Sequence, residues 1–256
     1  MLIARILTDG LDGKRIIYAE YNDGKYFALK GGLSGGFVKT SKTVEAKKIL
    51  PPVKPSKIIA LGANYVKHAE ELKLNVGKEP VIFLKPPTSV IGHGDDIVYP
   101  ACASKVDYEA ELAVIISRKC RNVKRGDAHR VIAGYTCAND VSERVFQKQD
   151  GQWLRAKGFD TFCPLGPFIA SGIDAHDLEL KAIVNGEIRQ RGNTRDMLHG
   201  VFEAIEFVSG VMTLYPGDVI LTGTPDGIGE IHIGDTVEIE IANIGALQNK
   251  VVKEIR

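Results

Sequence analysis

Glu109 and Glu111 stand two residues apart in DYEAELAVII (residues 107–116), and Asp140 closes the next apolar run, VIAGYTCAND (131–140). On a strand, residues i and i+2 share a face, roughly 7 Å apart along the backbone. Carboxylates leading into β-branched, apolar strands are costly to bury unless a cation neutralises them. An oxygen-only donor set favours Mg²⁺, Mn²⁺ or Ca²⁺, because zinc and copper normally recruit His or Cys. Taken alone, the glutamate pair also fits an exposed polar strand face. Asp140 shifts the balance toward a site, since it ends a run apolar enough to be central, and sites gather at strand ends.

Four further segments carry chemistry-bearing residues. In GANYVKHAEE (62–71) a short helix over 64–73 makes His68 and Glu71 neighbours at i, i+3, with Glu70 pointing elsewhere. A carboxylate on one imidazole nitrogen fixes the tautomer and leaves the other nitrogen as a base; an exposed helical His beside an acid is the bland reading. Lys157 in AKGFDT (156–161) is either a solvated strand-edge residue or a positive charge aimed at an anionic substrate or enolate. Arg144 and Gln147 in SERVFQ (142–147) share a helical face that suits carboxylate binding and equally an ordinary amphipathic helix. In PGDVILTGTPDGIG (216–229), Thr222 and Thr224 with the glycines form either an anion-holding loop or a strand-connecting turn. That loop lacks the lysine of a Walker loop and the spacing of a dinucleotide fold.

Strands must position these residues. The first fifty residues read as short strands, LIARILT, RIIYAEY and KYFALKG, with Asp-Gly pairs at 9–10, 12–13 and 23–24 as hairpin signals. PPVKP (51–55) is a stiff connector and marks a domain boundary. Beyond it strand patterns recur at 57–62, 81–85, 96–100, 110–116, 131–139, 162–170, 181–190, 219–223 and 236–245, with VNGEI as a two-residue hairpin turn. A helix is expected over 196–210, with Leu198, Val201, Phe202, Ile205 and Val208 at helical spacing and Gly210 as its C-cap; a shorter one is expected over 142–149.

Lysine plus arginine total 33 against 32 aspartate plus glutamate, a net charge of +1, so no broad field draws the chain to nucleic acid or membrane. A small molecule is the expected partner. Cys102, Cys120, Cys137 and Cys163 lack any CxxC spacing and read as free thiols in a reducing compartment. No segment has a signal-peptide core or the length of a membrane span, which points to a cytoplasmic protein.

The segments GANYVKHAEE, PVIFLKPPTSVIG, VDYEAELAVII, GYTCANDVSERVFQ, DGQWLRAKGFDTFCPLGP, VNGEIRQ and PGDVILTGTPDGIG follow one another in a familiar order. Together they resemble the fumarylacetoacetate hydrolase family over residues 56–245. The resemblance implies a β-rich α+β chain, with a small N-terminal β domain (1–55) and a mixed β-roll catalytic domain (56–256), usually homodimeric around Mg²⁺ or Mn²⁺. It implies Glu109, Glu111 and Asp140 as metal ligands, His68 and Glu71 as a catalytic dyad on a lid, and Lys157 beside the developing negative charge. Arg144, Gln147 and Thr224 fall at substrate-contacting positions. Val145 and Phe146 precede Gln147 where the family often has Asp-Leu, which alters the pocket and not the ligands.

The implied substrates are short 2-oxo or 2,4-dioxo carboxylates. Hydrolysis of an acylpyruvate C–C bond is the expected activity; isomerisation of a hydroxymuconate-type dicarboxylate and decarboxylation of oxaloacetate share the same enolate and stand as alternatives. A non-catalytic binding module is the reading from another class; the intact residue set argues against it.

Overall fold

The computed structural model describes residues 1–10, 13–71 and 77–255. Strand Ala110–Ile116 runs through its centre, buried at every position. Its sequence, AELAVII, is apolar on both faces, so neither face can be left to water. Leu112, Val114 and Ile116 pack into one core with Leu180, Ala182, Ile239 and Leu247. Ala113 and Ile115 face the other way, into a second core with Ile58, Ala60, Leu165 and Val219. The two cores follow from the period-two alternation of a strand.

Around this strand lies a twelve-stranded mixed sheet. On one side it pairs antiparallel with Val219–Leu221, which runs parallel to Ile58–Gly62, and Val81–Lys85 closes that edge. On the other side come Ile132–Asn139, then Cys163–Ala170. A five-stranded sheet built from Glu187–Asn193, Glu179–Val184, Thr236–Ile241, Gly245–Lys253 and Asp96–Tyr99 contributes the opposite wall of the first core. The architecture is a β-rich mixed roll with peripheral helices.

Strands Leu2–Gly10, Gly13–Asn22, Lys25–Gly32 and Gly36–Val44 form an antiparallel meander with a small core of Ala4, Ile6, Ala19 and Phe168. Its first strand, Leu2–Gly10, is hydrogen-bonded to Cys163–Ala170 through Leu2 opposite Ala170 and Ile3 opposite Ile169. The turn at Asp23-Gly24 has φ of 48° and 78°, and that at Asn185-Gly186 has 53° and 82°. Both are the two-residue, positive-φ turns that their sequences call for. The pair at 9–10 lies within or at the end of the first strand instead, and Asp12 of the pair at 12–13 lies outside the described residues.

Two helical expectations change. The helix expected over 196–210 starts at Val201 and ends at Val211, so Gly210 lies inside it and Met212 is the C-cap. Long-range bonds peel off its first turn: Asn64 donates to His199 O and accepts from His199 N, and Leu198 N donates to Asn64 O. The short helix near His68 spans Val66–Glu71, with residues 72 and 73 outside the described set. The helix expected over 142–149 runs Arg144–Asp150, N-capped by the Glu143 carboxylate and ended by left-handed Gly151. Among the described residues no helix is long and apolar enough to cross a membrane.

Candidate functional site

Carboxylate oxygens of Glu109, Glu111 and Asp140 lie within 4.8 Å of one another, all three residues buried. The local backbone explains the approach. Glu109 interrupts the strand run, standing between Val106–Tyr108 and Ala110–Ile116. Side chains replace the ladder there: Glu109 N donates to Asn139 Oδ1 at 3.0 Å and Ala110 N to Gln190 Oε1 at 3.0 Å. Asp140 follows the last residue of Ile132–Asn139, and its N–H donates to Glu109 O at 2.9 Å.

Three cations hold Glu109 and Asp140. Lys157 Nζ donates at 2.7 Å to both Glu109 Oε2 and Asp140 Oδ2. It is buried at the end of the helical turn Leu154–Lys157, so the solvated strand-edge alternative is excluded. Lys85 Nζ donates to Asp140 Oδ1 at 2.5 Å and to Val141 O. Arg144 donates from Nε to Asp107 Oδ2 at 2.7 Å, from Nη2 to Glu109 Oε1 at 2.6 Å and from Nη1 to Gln147 Oε1 at 2.8 Å. Among the described residues, two of the five Arg144 N–H groups have no acceptor.

The pairing is uneven. Burial alone would raise the Glu109 carboxyl, but Lys157 and Arg144 outweigh it and hold it well below the usual carboxylate range. Burial likewise opposes the charged form of Lys157, and the attraction of Asp140 and Glu109 more than offsets it. Glu111 goes the other way: burial, then the charges of Asp140 and Glu109, push it well above its ordinary value. Among the described residues its one hydrogen bond is from Gly223 N, at 2.7 Å. Gly223 has a φ of 89°, and the turn aims that N–H at the carboxylate. A buried carboxylate with no basic partner, facing two others, is the donor chemistry a hard divalent cation satisfies. The residues present fit such an ion.

His68 is buried and lines the same small cavity as the three acids, Lys157, Gln147 and Thr224. Its Nδ1 lies 3.3 Å from Glu71 Oε2, while Glu71 Oε1 accepts from Gly227 N at 3.3 Å. Nε2 has no hydrogen bond among the described residues, which leaves it for substrate or water. Thr224 reaches the cavity with its hydroxyl already engaged, donating to Ala110 O at 2.8 Å and accepting from Gln190 Nε2 at 2.8 Å. The Thr222 hydroxyl donates to Leu112 O at 2.9 Å. Seven of the nine candidate residues line this cavity, while Glu71 and Arg144 stand behind it, bonded to the lining residues His68, Glu109 and Gln147.

The fumarylacetoacetate hydrolase C-terminal model matches residues 57–252, beginning just after the proline-rich connector. The chain belongs to the fumarylacetoacetate hydrolase family. It is 44% identical over 220 residues to the human mitochondrial oxaloacetate tautomerase FAHD2A, a match covering 81% of this chain and 70% of that one. It superposes with a TM-score of 0.89 on 5-carboxymethyl-2-hydroxymuconate delta-isomerase from Mycobacterium smegmatis, at 43% identity over 99% of this chain and 100% of that one. The same TM-score relates it to 2-hydroxyhepta-2,4-diene-1,7-dioate isomerase from Mycobacterium marinum, at 41% identity with both chains fully covered. The protein is an enzyme of this family, and named relatives include isomerases and a tautomerase.

Within this family member, residues not singled out in the sequence complete the site. Lys85 ends the apolar run VIFLK, where a lysine reads as a solvated strand end, yet its side chain is fully buried. Gln190 reads as an ordinary strand residue and instead ties Ala110, Thr224 and Pro225 together. Removing one partner of a buried ion pair leaves the other charge stranded, at about 3–5 kcal/mol. Lys85→Met leaves Asp140 with Lys157 as its remaining cation, so unfolding free energy should fall by less, about 1–3 kcal/mol. The double variant Lys85→Met/Asp140→Asn should recover part of the loss in urea titrations. A single variant as stable as the parent would remove Lys85 from the structural account.

Proposed function

We propose that this enzyme hydrolyses the C–C bond of acylpyruvate-type 2,4-dioxo carboxylates with Mg²⁺ or Mn²⁺. The observation that carries the reading is the placement of a carboxylate-oriented histidine and a buried lysine in one cavity with three carboxylates. Glu109, Glu111 and Asp140 would hold the divalent ion. When bound, that ion supplies Lewis acidity toward the oxygens of a 2-oxo carboxylate.

The chain's own groups do the rest. His68, oriented through Nδ1 by Glu71, takes a proton from water at Nε2. The water oxygen attacks the 4-carbonyl, the C3–C4 bond breaks, and its electron pair becomes the enolate of pyruvate. That enolate takes the proton back from His68 Nε2 at C3 and the new carboxylic acid ionises, so one water is consumed and a carboxylate, pyruvate and one proton are released. Lys157 places its ammonium among the triad carboxylates, where it stabilises negative charge building on the enolate oxygen. The two N–H groups of Arg144 without an acceptor among the described residues suit the substrate carboxylate.

Isomerisation or tautomerisation is the second reading, favoured by the names of the relatives. It needs the same enolate and the same base, with the proton returned to carbon and no water admitted. ¹H NMR of the Mg²⁺-supplemented enzyme with acetylpyruvate and with oxaloacetate separates the two. Acetate and pyruvate in equal amounts are expected from acetylpyruvate. Keto–enol exchange of oxaloacetate without cleavage of acetylpyruvate would replace hydrolysis by tautomerisation.

A further inference from the structure

The acidic cavity shares a wall with a second, larger space. Its volume is about 10 Å³, whereas an adjoining apolar groove has about 590 Å³, and Phe83 and Trp153 line both. The rest of the groove comes largely from Val81, Ile82, Leu84, Leu154 and Met212, and no described residue lining it is charged. Val81, Leu84 and Leu154 are exposed there despite their apolar side chains.

A space of about 10 Å³ holds roughly one water molecule. Even a five-carbon dioxo acid needs more room than that, and the apolar groove behind Phe83 and Trp153 is the large space that adjoins it. The shared wall is Trp153, whose ring meets Phe83 edge-on with centroids 5.2 Å apart. The indole closes on Gly62, where an added methyl would overlap it. Gly62 thus serves as the seat of a large ring. Trp153 itself is half-buried, in the connector between the left-handed Gly151 cap and the helical turn Leu154–Lys157.

We propose that Trp153 is a specificity-determining wall, which gives way to the part of the substrate distal to its 2-oxo carboxylate and lets that part into the apolar groove. The inference rests on the 2,4-dioxo acid reading above. The groove's chemistry selects the tail. A distal carboxylate would lose its water without meeting a cation there. An alkyl or aryl group on C4 would instead gain about fourfold in affinity per buried methylene.

Trp153 is the only tryptophan in the chain, so its fluorescence reports the wall alone. His68→Ala with Mg²⁺, which should bind 2,4-dioxo acids without cleaving them, serves as the parent and as the background for Trp153→Ala. It is titrated with oxalate, a head group without a tail, and with 2,4-dioxo acids bearing methyl, propyl, pentyl or phenyl on C4. Oxalate should leave the emission where Mg²⁺ alone puts it. The dioxo acids should shift it progressively as the tail grows, with affinity rising alongside. By calorimetry, Trp153→Ala should move the preference for phenyl over methyl by ~10-fold toward phenyl.

Emission independent of tail length, or equal tail preferences in parent and variant, would overturn the wall; Mg²⁺-dependent binding in that case leaves the proposed function standing. Emission that tracks protein concentration instead of the tail assigns the groove to a second copy of the chain and also overturns the proposal. No Mg²⁺-dependent binding of any dioxo acid rejects both readings.

Discussion

Glu111→Gln is expected to melt above the parent protein in EDTA and to lose both its response to Mg²⁺ and its turnover. The carboxyl of Glu111 is pushed up by burial and by Asp140 and Glu109, so the metal-free fold favours its neutral form. The sign of the pH dependence follows. Stability from a raised carboxyl pKa is fully present below the unfolded value, about 4.3, and is lost as pH rises toward the folded value. The loss is roughly 1.4 kcal/mol per pH unit in that window. A neutral amide keeps the acceptor for Gly223 N and carries no such loss, so the advantage of the variant should grow with pH.

The ion should act in the opposite direction on the parent. Because it needs Glu111 ionised, its affinity should rise with pH by up to tenfold per unit while one proton is displaced. At a concentration one hundred times Kd the ion adds about 2.7 kcal/mol, equivalent to roughly 5–10 °C in a chain of this size. Thermal melts of parent and variant at pH 6 and pH 8, with EDTA or with Mg²⁺, check both halves. A variant that still shifts with Mg²⁺ would remove Glu111 from the ligand set.

His68→Ala should lower kcat by about 10²–10⁴-fold and leave Mg²⁺ affinity unchanged. Glu71 contacts Nδ1 of His68, and among the described residues Nε2 has no partner, so the imidazole is held but not consumed by the fold. Removing it subtracts a proton acceptor without touching a bond to Glu109, Glu111 or Asp140. Glu71→Gln keeps the contact and withdraws its charge, and an intermediate loss is expected. Calorimetric Mg²⁺ titration beside steady-state turnover separates the two effects. Undiminished kcat in His68→Ala would move the proton transfer to another group.

Much of the arrangement was legible in the residues. The runs AELAVII and VIAGYTCAN read as strands from their apolar patterning, and Asp140 closing the second pointed to a site at a strand end. The Asp-Gly and Asn-Gly pairs at 23–24 and 185–186 could close their hairpins because they tolerate positive φ. The segment order that resembles the family located the triad, the histidine and the lysine together. Local signals of this kind depend on a few neighbouring residues, and a sequence carries them in full.

Other features needed the assembled molecule. The start of the helix at Val201 was set by Asn64, more than one hundred residues away in the chain, and no periodicity encodes that bond. Lys157 read equally as a solvated lysine or as a charge aimed at substrate, and Lys85 was not singled out at the end of VIFLK. Only the folded chain brings their ammonium groups onto Asp140, from residues 55 and 17 positions away. Trp153 is similarly mute in sequence until Gly62 and Phe83 are placed against it. The sequence by itself placed the three carboxylates at the ends of apolar strand runs, because apolar patterning is local, and the family resemblance grouped them as one ligand set. Tertiary structure decided which cations neutralise them, which acid is left unneutralised, and how little room remains. Charge pairing and cavity shape arise from long-range packing, and spacing along the chain does not encode them.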